Sequence, residues 1–244
     1  MKIVGVIPAR LASTRFPGKA LAKVNGKAMI LHVWERVTSF VRFERIIVAT
    51  DDDVIAELIK SHGGEVYFSS EPFRNGSERC AAAVRDIDCD IVIDVQGDEV
   101  TITSEQLERV VQVLESDKTL LAATAAFPVL QTGDLGDPNL VKVAIDSSSN
   151  AIDFSRQPIS SNGKKITNYG HAGIYVYRKE FLLKYAQLPQ TPRELAESLE
   201  QLRILEHGYK IGVAIINKPL LSVNTPEDLV LANKVLSEER GVIE

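Results

Sequence analysis

The sequence predicts an α/β fold, a doubly wound and mostly parallel sheet with an antiparallel excursion at roughly residues 128–177. Two observations carry this. Over about the first 125 residues, strand-length apolar runs alternate with segments of helical periodicity, an order that right-handed crossovers turn into a parallel sheet. Between about Pro128 and Ile174 the alternation gives way to turn signals flanked by short strands. At 244 residues the chain suits one large α/β domain or a domain with a sub-domain. The expectation is a single domain over 1–244, with 128–177 as its antiparallel sub-region, because no repeat or low-complexity linker divides it.

The elements follow in order. Lys2–Ile7 is a short apolar strand, and a long loop runs from it through Ala22. Ala28–Phe40 places Met29, Ile30, Val33, Trp34 and Val37 at helical spacing, as in a helix lying on a sheet. Arg45–Ala49 is a strand, and Asp51–His62 a helix with acids in its first turn, closed by Gly63-Gly64. Glu65–Phe68 reads as a strand, Ser77–Arg85 as a helix and Asp90–Val95 as a buried strand. Thr103–Leu114 is a helix with Ser104 as its cap, followed by a strand at Leu120–Phe127. Asp137-Pro138-Asn139 and Ser147–Asn150 mark turns beside strands at Val141–Ile145 and Ala151–Phe154, and His171–Tyr177 is a further strand. Helices are expected at Lys179–Ala186 and Arg193–His207, a strand at Ile211–Ile216, and a last helix at Pro226–Leu236 capped by Thr225.

Composition narrows the function classes. With 45% hydrophobic and 25% charged residues, the chain is an ordinary globular protein rather than a disordered or collagen-like one. Its apolar runs are of strand length, far short of the ~20 residues of a membrane span, so no membrane insertion is expected. The start runs from Ile3-Val4-Gly5-Val6-Ile7 into charged residues, which is not the pattern of a signal peptide. Cys80 and Cys89 lack CxxC or zinc-finger spacing, and reduced thiols in a cytoplasmic protein are the default reading. The net charge of −5 hides an asymmetry: Lys2, Arg10, Arg15, Lys19, Lys23 and Lys27 all precede the first acid, Glu35. A basic end on an acidic protein points to a local anion site, or to a solvated charge cluster, more than to a nucleic-acid surface, which needs a broad basic face.

Two segments carry chemistry. Pro8-Ala9-Arg10-Leu11-Ala12-Ser13-Thr14-Arg15-Phe16-Pro17-Gly18-Lys19 follows the first strand directly. Ligands of open α/β sheets bind beyond the carboxyl ends of the strands, and a loop of small residues with two Arg and a Lys can wrap a polyphosphate there. Its spacing is neither GxGxxG nor GxxxxGK[ST], and the alternative is a basic surface loop. The second segment, Val95-Gln96-Gly97-Asp98-Glu99, ends a buried strand. Asp98 there is placed to hold Mg²⁺ against phosphate oxygens, although taken alone it reads more readily as a turn or cap residue, and it is the basic loop at a neighbouring strand end that favours the metal.

Ile7-Pro8-Ala9-Arg10 followed by Ser13-Thr14-Arg15-Phe16-Pro17-Gly18-Lys19 resembles the signature of the 3-deoxy-manno-octulosonate (Kdo) cytidylyltransferases. So do Val48-Ala49-Thr50-Asp51-Asp52, Val95-Gln96-Gly97-Asp98-Glu99, Phe154-Ser155-Arg156, His171-Ala172-Gly173-Ile174-Tyr175, Leu199-Glu200-Gln201-Leu202-Arg203 and Thr225-Pro226-Glu227-Asp228-Leu229, in order along nearly the whole chain. The resemblance implies a nucleotide-diphospho-sugar transferase-like fold and a reaction between CTP and a sugar acid. With Mg²⁺ as cofactor, the acid's anomeric hydroxyl attacks the α-phosphorus, giving a CMP-sugar and pyrophosphate without a covalent protein nucleophile. By the same resemblance Arg10, Arg15 and Lys19 hold the triphosphate, and Arg10, Lys19 and Asp98 carry catalysis. Pro8, Ala9, Ser13, Asn75, Gly76, Arg79 and Gln96 complete the nucleotide set. Arg156 pairs with the acid's carboxylate, a task suited to a guanidinium, while His171, Tyr175, Glu200 and Gln201 contact the sugar. Taken singly, His171 reads more readily as a satisfied histidine, and Glu200 and Arg156 as surface charges. A homodimer is a further implication, compatible with the antiparallel excursion.

Five departures from the signature fall near these positions. Ser-Gly-Thr-Asp-Arg appears as Asn75-Gly76-Ser77-Glu78-Arg79, Gly-Asp-Glu-Pro as Gly97-Asp98-Glu99-Val100, and Pro-Gly-Lys-Pro as Pro17-Gly18-Lys19-Ala20. The Lys before the strand's His is Gly170, and the Asp before Thr-Pro is Asn224. That last Asp would be a second Mg²⁺ ligand; Asn offers an oxygen without the charge. The departures leave open another acid acceptor (8-amino-Kdo, a neuraminic-type acid, a phosphonate) or a catalytically weak CTP-binding paralogue.

Overall fold

A run of β-branched residues with no polar side chain gives β1 (Ile3–Ala9), buried along nearly its whole length. A minimal hairpin follows, β2 (Lys23–Val24) and β3 (Lys27–Ala28), turning through Asn25 and Gly26 at φ 48° and 81°. Two consecutive positive φ values are what a tight hairpin needs, and Asn-Gly supplies them. Helix α1 (Met29–Thr38) turns Met29, Ile30, Val33 and Val37 inward. Then come β4 (Phe43–Thr50), α2 (Asp53–Ser61), β5 (Glu65–Phe68), α3 (Gly76–Val84) and β6 (Ile91–Val95). The Asp52 carboxylate caps α2, accepting from Ile55 N–H at 3.0 Å. The strands pair in the order β6-β1-β4-β5, all parallel. Val6 lies opposite Asp94 and Ala9 opposite Thr50, so β1, β4 and β6 end together.

The computed structural model describes residues 1–11, 16–129, 134–161 and 164–241. Residue contacts divide the chain into two compact units, Met1–Ser104 with Leu220–Glu244, and Glu105–Pro219. Helix α4 (Ser104–Ser116) begins the second; Ser104 is its first residue rather than its cap. The strands are β7 (Ala122–Pro128), β8 (Lys142–Ile145), β9 (Ala151–Ser155), β10 (Ser160–Ser161), β11 (Lys164–Lys165) and β12 (Asn168–Arg178). Helices α5 (Lys179–Gln187), α6 (Pro192–Glu197) and α7 (Gln201–Glu206) precede β13 (Ile211–Ile215), and α8 (Pro226–Gly241) returns to the first unit. In the second unit β13 runs parallel to β7, whereas β7–β12, β12–β8, β8–β9 and β10–β11 are antiparallel. The mostly parallel sheet and its antiparallel excursion are therefore both present.

One expected element is corrected. The helix read over Arg193–His207 is two helices, broken at Ser198, whose φ of 53° is left-handed. The first begins earlier, at Pro192, where Thr191 and Glu194 form a capping box and Glu194 Oε2 accepts from Thr191 N–H at 3.2 Å. The break lets two charges meet in the core. Arg203, fully buried, donates from Nε to Glu194 Oε2 at 2.8 Å and from Nη2 to Oε1 at 2.5 Å, with Tyr185 stacked 4.7 Å from the guanidinium carbon. A continuous helix would hold positions 194 and 203 on a fixed spiral nine residues apart, without this two-pronged contact.

Candidate active site

In the first unit the ends of β1 and β6 and the start of α3 converge. Ala9 is buried, Pro8 partly so, and Arg10 stands exposed where the strand ends. Glycines allow the approach: a Cβ on Gly97 would lie 3.0 Å from the Pro8 carbonyl oxygen, and one on Gly76 would lie 2.8 Å from Gln96 Nε2 and 3.2 Å from Pro8 Cγ. Pro8, Gly76 and Gln96 are thus neighbours. Gln96 Nε2 donates to Asp94 Oδ1 at 2.9 Å, and Ser77 Oγ donates to Asp94 Oδ2 at 3.1 Å. Asp94 is wholly buried and orients this corner; sequence reasoning passed over it as part of an apolar strand. Asn75 caps α3, its Oδ1 accepting from Glu78 N–H at 2.9 Å. Arg79 is 5% exposed, donates from Nη2 to Asp51 Oδ2 at 2.7 Å and lies 5.1 Å from the Phe73 ring centre. Its Nη1 has no hydrogen-bond partner among the described residues.

Lys19 enters through a turn in which Gly18 takes φ 72° and its N–H donates to Leu11 O at 3.1 Å. The Lys19 ammonium is ion-paired with Asp98 Oδ2, both side chains largely buried. Asp98 sits in the turn after β6, where Glu99 N–H donates to Gln96 O at 3.1 Å. The segment before α8 docks on that turn: Val223 N–H donates to Asp98 O at 3.1 Å and Ser222 Oγ to Glu99 Oε1 at 2.8 Å. Asn224 directly follows the residue that is bonded to the Asp98 backbone. Asp228 fixes its backbone, accepting from Asn224 and Thr225 N–H at 2.8 and 2.9 Å. Ser13 and Arg15 lie outside the described residues.

The second unit holds the other expected residues, of which it brings His171, Tyr175 and Gln201 into contact. On β12 the register slips between Ala172 and Tyr175, so that His171 faces Ala126 and Tyr175 faces Thr124, side by side on one face. His171 Nε2 is 2.8 Å from Thr124 Oγ1, and its ring packs edge-on to Phe154 at 5.1 Å and tilted to Tyr175 at 5.4 Å. Burial among these rings pushes the imidazole down to about 3. Tyr175 O–H donates to Gln201 Oε1 at 3.2 Å, while Gln201 Nε2 is buried with no hydrogen-bond partner among the described residues. Glu200 precedes α7, and its carbonyl accepts from Tyr185 O–H at 3.2 Å. Arg156 follows β9; its Nε donates to Glu197 O at 2.9 Å and Nη1 to Pro138 O at 3.0 Å. Beneath it Lys142, wholly buried, donates to Arg156 O at 2.8 Å and Asp137 O at 2.5 Å, and desolvation pulls its pKa down. Neither Thr124 nor Lys142 carries a motif signal, because both sit in strands where polar side chains read as surface.

The profile of the cytidylyltransferase family matches residues 4–211. A 3-deoxy-manno-octulosonate cytidylyltransferase of Geobacter metallireducens is 40% identical, covering 94% of this chain and 95% of its own. This chain belongs to that family. The corresponding protein of Syntrophotalea carbinolica is 42% identical over 94% of this chain and 96% of its own. Among solved structures, a CMP:2-keto-3-deoxy-manno-octonic acid synthetase complexed with CTP superposes with a TM-score of 0.89 at 34% identity, covering 98% of this chain and all of that one. A 4-diphosphocytidyl-2C-methyl-D-erythritol synthase of Anaerococcus prevotii, at 15% identity and a TM-score of 0.62, shares the fold alone. Cytidylyltransferase membership agrees with the basic loop and Asp98 standing at the strand ends of the first unit.

Proposed function

We propose that this protein transfers the cytidylyl group of CTP to a Kdo-type 3-deoxy-ulosonic acid, giving the CMP-sugar and pyrophosphate, as an enzyme of lipopolysaccharide or capsule synthesis. The observation that carries the reading is the convergence of Pro8, Gly76, Gln96 and the Lys19–Asp98 pair at the carboxyl ends of β1 and β6. Full-length likeness to the Kdo cytidylyltransferases names the acceptor class. The acid's anomeric hydroxyl attacks the α-phosphorus and pyrophosphate leaves, so the chain's task is to position reactants and offset charge.

Arg10, Arg15 and Lys19 neutralise the triphosphate, while Pro8, Ala9, Ser13, Gln96, Asn75, Gly76 and Arg79 form the nucleotide pocket. The paired Arg79 guanidinium keeps Nη1 for a ligand oxygen, and Gly76 leaves the backbone open to a flat base. Arg156, His171, Tyr175, Glu200 and Gln201 receive the sugar acid. Asp98 and Asn224 fit Mg²⁺ by chemistry: both offer side-chain oxygens, one of them charged, Val223 next to Asn224 is hydrogen-bonded to the Asp98 carbonyl, and that cation is usually held by one or two carboxylates together with substrate phosphates. When bound, Mg²⁺ supplies charge stabilisation on the phosphates.

The chain acts as one cytidylyltransferase domain, as a homodimer, in the cytoplasm. Cys80 and Cys89 are buried and form no disulfide, and among the described residues no helix is long and apolar enough to cross a membrane. Pyrophosphate release is the test, with CTP, Mg²⁺ and a panel of Kdo, 8-amino-Kdo, neuraminic acid and phosphonates. Release with Kdo at the highest kcat/KM is expected. Tight CTP binding with no release for any acid would instead identify a nucleotide sensor.

A further inference from the structure

Thr124 stands on β7 opposite Tyr175, just past the slip in β12 between Ala172 and Tyr175. Its hydroxyl has a single proton, and a carbonyl can only accept, so the 2.7 Å contact from Thr124 Oγ1 to Ile174 O uses that proton. The same oxygen lies 2.8 Å from His171 Nε2. With the hydroxyl proton already committed, the proton of this second contact must come from the imidazole. Nε2 is thereby fixed as the protonated nitrogen, and because burial pushes the imidazole down to about 3, the ring is neutral at ordinary pH and is the Nε2–H tautomer. Its Nδ1 is then an acceptor, with no hydrogen-bond partner among the described residues. Tyr175 sets the opposite polarity on the next side chain: by donating to Gln201 Oε1 at 3.2 Å it turns the amide so that Nε2, a donor, is left for a ligand.

We propose that Thr124 is a positioning residue that locks His171 in the Nε2–H tautomer, so that this wall presents a hydrogen-bond acceptor at Nδ1 to a substrate hydroxyl. The inference rests on the assignment of His171 to the acid-acceptor side of the reaction. A hydroxyl that donates is welcome at Nδ1, whereas a carboxylate, which only accepts, finds no proton there. The neutral ring also carries no charge to attract it. The acid group is left to the guanidinium chemistry of Arg156, and His171 discriminates for a hydroxyl in its place. A deoxy analogue of that hydroxyl would leave the Nδ1 acceptor unpaired.

The tautomer is read directly by long-range ¹H–¹⁵N correlation spectra of the ¹⁵N-histidine-labelled protein. The expected result is a pyrrole-type Nε2 and a pyridine-type Nδ1 for His171 at every pH from 5 to 8. A pyrrole-type Nδ1, or an imidazolium signal in that range, overturns the proposal. In Thr124→Val, which removes both the acceptor and the donor at nearly constant volume, KM for the acid should rise about three- to tenfold, the loss of one neutral hydrogen bond. KM for CTP should stay within about twofold, and Thr124→Ser should restore the wild-type acid KM and tautomer. Equal changes in both KM values, or no rescue by Ser, contradict a positioning role. If Thr124→Val does not fold, the wild-type spectra still decide. They also separate the two readings: a wrong tautomer with intact Kdo turnover sinks this inference alone, and the expected tautomer without turnover sinks the functional reading alone.

Discussion

Replacing Glu194 with Gln tests how the second unit holds Gln201 at the start of α7. The amide keeps the volume of the carboxylate and can still accept from Thr191 N–H, so the capping box survives. What is lost is the negative charge beside Arg203, a guanidinium that is fully buried, donates to both Glu194 oxygens and has Tyr185 on its face. Breaking a buried pair by removing one partner costs about 3–5 kcal/mol, because the remaining ion stays desolvated. For a protein of this size each kcal/mol lowers Tm by roughly 2–4 °C, so Glu194→Gln should melt about 6–20 °C below the wild type by calorimetry. The double substitution Glu194→Leu with Arg203→Met removes both charges and should recover most of that loss, since apolar replacement of a whole buried pair is often close to neutral. A drop under about 3 °C in the single variant, or a double variant that melts lower still, would refute the argument that the pair's mutual neutralisation holds α6 to α7.

Three further outcomes are expected. In Gly76→Ala the new Cβ would lie 2.8 Å from Gln96 Nε2, so Gln96 must swing away; KM for CTP should rise about tenfold, some 1.4 kcal/mol, with Tm within a few degrees, and an unchanged KM would remove Gly76 from the nucleotide pocket. Asn224→Asp adds a carboxylate on the segment docked against Asp98 and should lower the Mg²⁺ concentration for half-maximal rate, while Asp98→Ala abolishes turnover; an undisturbed rate in Asp98→Ala would end the metal assignment. His171 is lowered by burial to about 3 in the folded chain, so the unfolded chain takes up its proton first as pH falls from about 6.5 toward 3. Its contribution to stability is whole above about pH 6.5 and is lost by up to about 1.4 kcal/mol per pH unit within that window. His171→Phe should therefore flatten the pH dependence of Tm, and identical slopes for both proteins would contradict the burial argument.

The β-α-β-α order was legible because β-branched runs such as Ile3–Ile7 and Ile91–Val95 have no reading but buried parallel strand once helices alternate with them. The break at Ser198 was not, since Leu199, Leu202 and Ile204 continue an apolar pattern and helical periodicity does not register a single left-handed residue. Its start was readable: Thr191 followed by Pro192 and Glu194 has the pattern of a capping box, a signal that lies in polar residues and not in apolar spacing. Among candidate site residues, those in loops with distinctive composition, from Pro8 to Lys19 and around Asp98, announced themselves. Asp94, Thr124 and Lys142 did not. Each is buried in a strand, and their importance lies in partners distant along the chain: Ser77 for Asp94, His171 for Thr124, the Arg156 carbonyl for Lys142. Only the strand register brings such pairs together.

Cytidylyl transfer to a Kdo-type acid is read most directly by ³¹P NMR of the reaction. With CTP, Mg²⁺ and Kdo, the three phosphorus signals of CTP should give way to one phosphodiester signal of the CMP-sugar and an equal amount of pyrophosphate, with no change when Kdo is left out. Persistence of the CTP signals in the complete mixture, or their decay to CMP or CDP regardless of the acid, would contradict it.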